Sequence, residues 1–233
     1  MFKFVFLWTD LTIWALAAFC IVYGAAVLRS PGLAASWRRV FRDAPAMCSA
    51  LVLALCLLVT LADSVHYRSR LAAAPGAAAD AAQFEVQAHS LLDLALSDLV
   101  QSRETSYSRP LAYEALRLDT VSVNGRLVRM APRLKHGGAH LSDPEHQWHS
   151  DLLSRAVSGL VVGLGLAAAA ALALFALLAR ARRAGLLDTA ASVWRNEGEI
   201  PWRAALWTLV VIATLIGIVV SLMGAYHVFG TDT

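Results

Sequence analysis

Four long apolar runs alternate along the chain with stretches of ordinary polar sequence. Residues 4–28 carry a single charge, Asp10, near the start, and residues 44–62, 156–179 and 204–226 carry none. A bilayer core of about 30 Å takes about 20 apolar helical residues, and each run reaches that length. Buried helices of soluble proteins are rarely uncharged for so long, so the runs predict membrane-spanning helices. The expected fold is mainly α, a polytopic membrane protein with four transmembrane helices and a small α+β domain between the second and third. The expected organisation is a first helix pair in 1–63 joined by the connection 29–43, a water-facing domain over 64–151, and a second pair in 152–233 joined by the connection 180–203.

Between 64 and 151 the pattern changes period. An Ala-Pro-Gly-Ala stretch over 72–82 predicts a flexible lead-in. Residues 84–103 have helical spacing, with Leu91, Leu92, Leu94, Leu96 and Leu99 on a broad apolar face. Residues 118–123 alternate, Asn124-Gly125 follows, and 126–130 resume, which is the strongest short hairpin signal a sequence offers. Gly137-Gly138 and Asp143-Pro144 mark loops leading back to the third apolar run.

Charge adds orientation. The connection 29–43 holds Arg29, Arg38, Arg39 and Arg42 against Asp43, and the connection 180–203 holds Arg180, Arg182, Arg183, Arg195 and Arg203. Short arginine-rich loops stay in the cytoplasm, which places both termini and the 64–151 domain outside, with Lys3 a mild counter-signal. The expected location is the bacterial inner membrane. Trp37-Arg38-Arg39, Trp194-Arg195 and Trp202-Arg203 read as interfacial anchors, a ring at headgroup depth beside a cation among phosphates. A short amphipathic helix on the membrane surface is the alternative for these segments. Gly159 and Gly163, and Gly217 and Ser221, have the four-residue spacing that lets helix backbones approach in lipid.

Composition removes several functions. A hydrophobic fraction of 58% and a mean hydropathy of +0.57 exclude an ordinary soluble domain. The net charge of +3 does not make a nucleic-acid binder, because Lys3 and Lys135 are the only lysines and many arginines sit at the ends of apolar runs. Cys20, Cys48 and Cys56 all lie in apolar runs with no paired spacing, and predict neither a disulfide framework nor a metal site. Phe19 stands where a lipoprotein cleavage box needs a small residue, so the first helix is read as uncleaved.

His136, His140, His146 and His149 are interleaved with Asp143, Glu145 and Asp151, and a metal site could be drawn from His140, His146 and a carboxylate. The Gly-Gly and Asp-Pro breaks leave no helical register to fix such ligands, so a solvated loop is expected and no metal. Asp10 is expected to be interfacial and hydrated. Neither lysine has a phosphate-loop context and no Gly-x-Ser-x-Gly elbow occurs, so no catalytic residue and no cofactor are assigned.

Two segments carry a resemblance. Ser36-Trp37-Arg38-Arg39-Val40-Phe41-Arg42-Asp43-Ala44-Pro45-Ala46 runs into an apolar helix, and Tyr226-His227-Val228-Phe229-Gly230-Thr231-Asp232-Thr233 follows the last one. The first resembles the N-terminal cytoplasmic segment and first shared helix of the permease subunits of bacterial oligopeptide and dipeptide ABC importers. The second is similar to the start of that family's outer motif, with Gly230, Thr231 and Asp232 at its Gly-Thr-Asp. The block 90–141 resembles an elaborated subgroup with extra helices and an outside domain.

The resemblance implies a front portion of a permease, truncated or completed by another chain, because the family's translocation helices and its Glu-Ala-Ala coupling loop lie beyond these segments. It further implies a second permease chain, separate ATPase subunits and a periplasmic substrate-binding protein as partners beside the bilayer. It implies no catalysis by this chain, and the placement of the basic residues argues against nucleic acid as a partner. The alternative from a different class is a membrane-anchored extracytoplasmic sensor or assembly scaffold.

Overall fold

The structure is a computed structural model that describes residues 3–70, 84–97, 102, 104, 107–123 and 125–230. It is mainly helical, with small sheets, and four of its helices are long and apolar enough to cross a membrane. The chain divides into two bodies, residues 1–97 with 198–205, and residues 98–197 with 206–233.

In the first body a short strand β1 (Lys3–Val5) leads into α1 (Trp8–Arg29). At 1.5 Å per residue α1 is about 33 Å long, enough for a bilayer core. Its start is fixed by Asp10, whose Oδ2 accepts the Leu7 amide at 3.0 Å and so satisfies a helix-end donor. Ser30, in extended backbone, closes α1, and Pro31 opens α2 (Pro31–Phe41) at a position where a missing N–H costs nothing. The 29–43 connection is thus largely helical. α2 has no buried residue and divides its polar and apolar side chains between opposite faces, the form of the amphipathic alternative rather than of an irregular loop.

α3 (Ala44–Asp63) starts on another early proline, Pro45. Beyond it β2 (His66–Arg68) pairs antiparallel with β1, Phe4 opposite Tyr67, and with β3 (His89–Ser90). That sheet ties the residues before α1 to those after α3, so α1 begins where α3 ends. At the other end of α3, Arg42 forms an ion pair with Glu199 at 2.5 Å, and the Cys48 Sγ reaches the Ala204 carbonyl at 3.9 Å.

The helix expected over 84–103 starts later than its leucine spacing predicts. Within its described part, 84–97, helix begins only at α4 (Leu91–Ala95), because the preceding residues are taken by β3 and by an antiparallel bridge of Phe84 with Arg70. Ser90 ends the strand and caps the helix: its Oγ accepts the Asp93 amide at 3.0 Å, and Asp93 accepts the Ser90 amide at 2.9 Å. The lead-in 72–82 and Leu99 lie outside the described residues.

In the second body β4 (Asp119–Val123) and β5 (Arg126–Met130) form the expected antiparallel ribbon, Val121 opposite Val128. Gly125 has φ +76°, as a two-residue turn requires, and Asn124 lies outside the described residues. α5 (Pro144–Arg182) has 39 residues and extends twelve residues N-terminal to the apolar run that begins at 156. α6 (Leu186–Trp194) and α7 (Trp202–Met223) follow, α7 joining the two bodies in sequence.

α5 and the part of α7 in this body meet backbone to backbone. A Cβ added at Gly159 would stand 2.5 Å from the Gly217 carbonyl oxygen, and one at Gly163 2.5 Å from that of Ala213. Ser221 donates to the Arg155 carbonyl at 2.8 Å, and its Oγ lies 3.2 Å from that of Ser158. The four small residues singled out from sequence therefore share one seam. Above it Leu141, Ala225 and Tyr226 form a small core covered by Leu111, Trp148 and Leu152.

Candidate functional site

The most constrained part of the second body is the segment after α7, residues 224–230, against which three separate stretches close. Glu104 supplies the first. Its carboxylate accepts the backbone amides of Lys135 at 2.8 Å, His136 at 2.7 Å and Gly137 at 3.1 Å, and lies 3.0 Å from the His227 Nε2. Burial of this side chain, 8% exposed, pushes its pKa up. The hydrogen bonds from His227 and from the amides of His136, Lys135 and Gly137 outweigh that and bring it down to about 2. Glu104 is a fixed anion at any physiological pH.

Asp151, on the first turns of α5, supplies the second. Its Oδ2 accepts the Tyr226 hydroxyl at 2.7 Å and the Arg155 Nε–H at 2.9 Å, and lies 2.8 Å from the His140 Nε2. The third is Leu111, held at φ 59°, where a branched side chain is strained. Its amide donates to the His227 carbonyl at 2.9 Å, and its carbonyl accepts the Trp148 indole N–H at 2.9 Å, so both sides of the strained residue are bonded.

Between these ties lies the loop of Gly137 and Gly138. Gly138 has φ +65° and donates its amide to the Ala225 carbonyl at 2.8 Å, while Arg133 donates to the carbonyls of Gly138 and Leu141. A Cβ at Gly137 would come within 2.8 Å of Leu134 and 3.0 Å of the Ala112 carbonyl oxygen, so the glycines are required by space. Gly230 has φ +76° and rests against the Ser108 carbonyl oxygen. Thr231 and Asp232 lie outside the described residues.

A cavity of about 130 Å³ remains, lined by Ser102, His136, Gly137, Tyr226 and His227 among others. A second, of about 290 Å³, shares Ser102, Tyr226 and His227 with it, and neither reaches the roughly 300 Å³ at which ligand pockets begin. The arrangement is a clasp that fixes the chain after α7.

The histidines separate. His140 bonds Asp151 and His146 bonds Asp143 at 2.9 Å, so the two proposed ligands use different carboxylates. Among the described residues no group of three or more His, Cys, Asp and Glu side chains is placed to hold a metal ion.

Asp10 corrects the expectation of a hydrated carboxylate. It is 2% exposed, among the most buried side chains in the protein, with its Oδ2 3.0 Å from the His66 Nδ1. The pairing of β1 with β2 carries His66 onto the start of α1, and that closure was invisible in the local pattern.

The anchor residues are placed individually. Trp37 donates its indole N–H to the Tyr23 hydroxyl at 3.3 Å and stacks on Phe41, with Arg38 and Arg39 exposed beside it on α2. Trp194, 63% exposed, ends α6, and Trp202 with Arg203 opens α7. What sequence reasoning missed is the joining of Glu104 and Arg133 with Tyr226 and His227, already noted in the terminal segment, into one clasp. The pairing of Glu104 with His227 spans 123 positions, and only the Gly137-Gly138 pair hinted at a close approach.

No family model, no curated protein and no solved structure matches this chain.

Proposed function

We propose that this chain is a non-catalytic membrane subunit of an ATP-driven peptide importer. Its four apolar helices sit in a bacterial inner membrane, with the connections 29–43 and 180–203 in the cytoplasm and the 64–151 segment and both termini outside. ATP hydrolysis belongs to separate subunits, and the outside segment faces the substrate-binding protein.

The observation that carries the reading is the clasp on residues 224–230. The stretch that resembles the permease outer motif is bonded through His227 to Glu104, and Tyr226 is bonded to Asp151. A junction held this firmly suits a part that positions transport helices rather than one that moves around a substrate. The arginine-rich end of α2 and Glu199 of the other connection are joined by an ion pair, which supports a common cytoplasmic side for both.

Affinity purification of the chain from its native membrane in a mild detergent tests this. The expected result is co-recovery of a second permease chain and two ATPase subunits. Recovery of the chain alone overturns the proposal, and recovery with partners unrelated to transport favours the membrane-anchored sensor or scaffold.

A further inference from the structure

The turn between α1 and α2 leaves a groove of about 440 Å³ in the first body, lined by Tyr23, Gly24, Val27, Trp37, Arg38 and Phe41 among others. Gly24 faces its open space: a Cβ added there would have nothing within 4 Å. One wall is α1, long and apolar enough to cross a membrane, and the other is the apolar side of α2. The Trp37–Tyr23 hydrogen bond at 3.3 Å and the Trp37–Phe41 stack at 5.8 Å fix the rings that border it.

The groove is apolar along its length and cationic at its rim. Arg38 lines it, and Arg39 is exposed next to it on α2. Arg42 is engaged by Glu199, which also feels Arg38 at longer range, whereas among the described residues Arg38 and Arg39 form no ion pair of their own.

We propose that this groove holds one anionic phospholipid of the bilayer, an acyl chain lying over Gly24 between α1 and α2 and the phosphate on Arg38. The proposal rests on the reading of α2 as a helix at the cytoplasmic membrane surface. A zwitterionic lipid would offer the same chain but set its own cation against Arg38 and Arg39. An anionic headgroup gains about 1 kcal/mol from each basic residue near the surface, a factor of about five.

Native mass spectrometry of the purified full-length chain, given equimolar phosphatidylglycerol and phosphatidylcholine, tests it. One phosphatidylglycerol should survive the activation that strips phosphatidylcholine. Arg38→Gln should lower its retention about fivefold. Gly24→Leu, which fills the groove, should abolish it. Gly165→Leu, at another helical glycine with nothing within 4 Å, should leave it unchanged. Equal retention of the two lipids by the unsubstituted chain overturns the proposal. Undiminished retention in Gly24→Leu, or equal loss in Gly165→Leu, does so too. Should Gly24→Leu fail to fold, the exposed Arg38→Gln decides alone, unchanged retention refuting the site. The measurement uses the isolated chain, so its failure is separable from a failure to recover transporter partners.

Discussion

In the second body two apolar helices meet without side chains between them, Gly159 and Gly163 of α5 standing against the backbone of Ala213 to Ile218 in α7. In the first body Gly24 lies on an equally apolar helix and touches nothing within 4 Å. Lipid tails are as apolar as leucine, so helices in a bilayer are not driven together by burial and need close van der Waals approach. The α5–α7 seam meets that need through small residues on both partners, Gly159 and Gly163 facing Gly217. Along α1 the large side chains Leu11, Trp14, Leu16 and Phe19 are exposed instead. One helix pair carries its contact within the chain, and the other presents its surface to lipid or to a further protein.

The largest test of that contrast is a single methyl group. Gly159→Ala forces a Cβ to within 2.5 Å of a carbonyl oxygen and must separate the helices, at a cost of about 3 kcal/mol. Gly24→Ala should change stability by less than about 0.5 kcal/mol, because its Cβ enters open space. Unfolding in mixed micelles as the denaturing detergent fraction rises reads both. Equal costs at the two positions would erase the distinction between the seam and the open groove.

Next in size is the carboxylate that fastens each body. Glu104 accepts three backbone amides and faces His227, whereas Asp10 accepts one amide, from Leu7, and faces His66. The Glu104 pKa lies at about 2 when folded, against 4.5 for the free side chain. A depressed carboxylate contributes stability that is complete above about pH 4.5 and disappears as the pH falls towards 2. The contribution is at most about 3 kcal/mol at 1.36 kcal/mol per pH unit, and less where water screens the pair. Thermal unfolding in detergent across pH 6 to 2 should show this loss in the natural chain and little of it in Glu104→Gln, which is already weakened at neutral pH. A Glu104→Gln protein as stable as the natural one at pH 6 would make the clasp incidental.

The elements that were legible in the sequence are those whose signal is local. The apolar runs found the long helices to within a few residues at α3, since a bilayer-length charge-free stretch has few other uses. The alternation around Gly125 found the β4–β5 ribbon, and the four-residue spacing of Gly159 with Gly163 found the seam. What escaped depends on distant partners. Leucines at 91, 92, 94, 96 and 99 suggested a helix of about twenty residues, but pairing of His89-Ser90 with β2 starts it late. Asp10 read as an interfacial carboxylate because nothing nearby in sequence points to His66, which the sheet delivers from 56 positions away. The clasp was hidden for the same reason: His140, Asp151 and His227 stood out locally, but nothing in sequence pairs His227 with Glu104 from 123 positions away.

The smallest expected effect belongs to the ion pair of Arg42 with Glu199. It is as short as any among the described residues at 2.5 Å, yet its side chains are 52% and 66% exposed. Water and salt screen such a pair, and holding two long side chains together costs entropy, so little net stability remains. Arg42→Glu, Glu199→Arg and the double exchange should all melt with the natural chain in detergent, with no coupling resolved between the two sites. The Glu104 clasp also joins distant segments, 123 positions apart, and its carboxylate differs in being enclosed by amides. A coupling at Arg42 and Glu199 comparable to the cost of Glu104→Gln would mean that the pair is shielded from water where the protein works, at the headgroup layer or against another subunit. Exposure in the isolated chain would then be a poor guide to which charges hold it together.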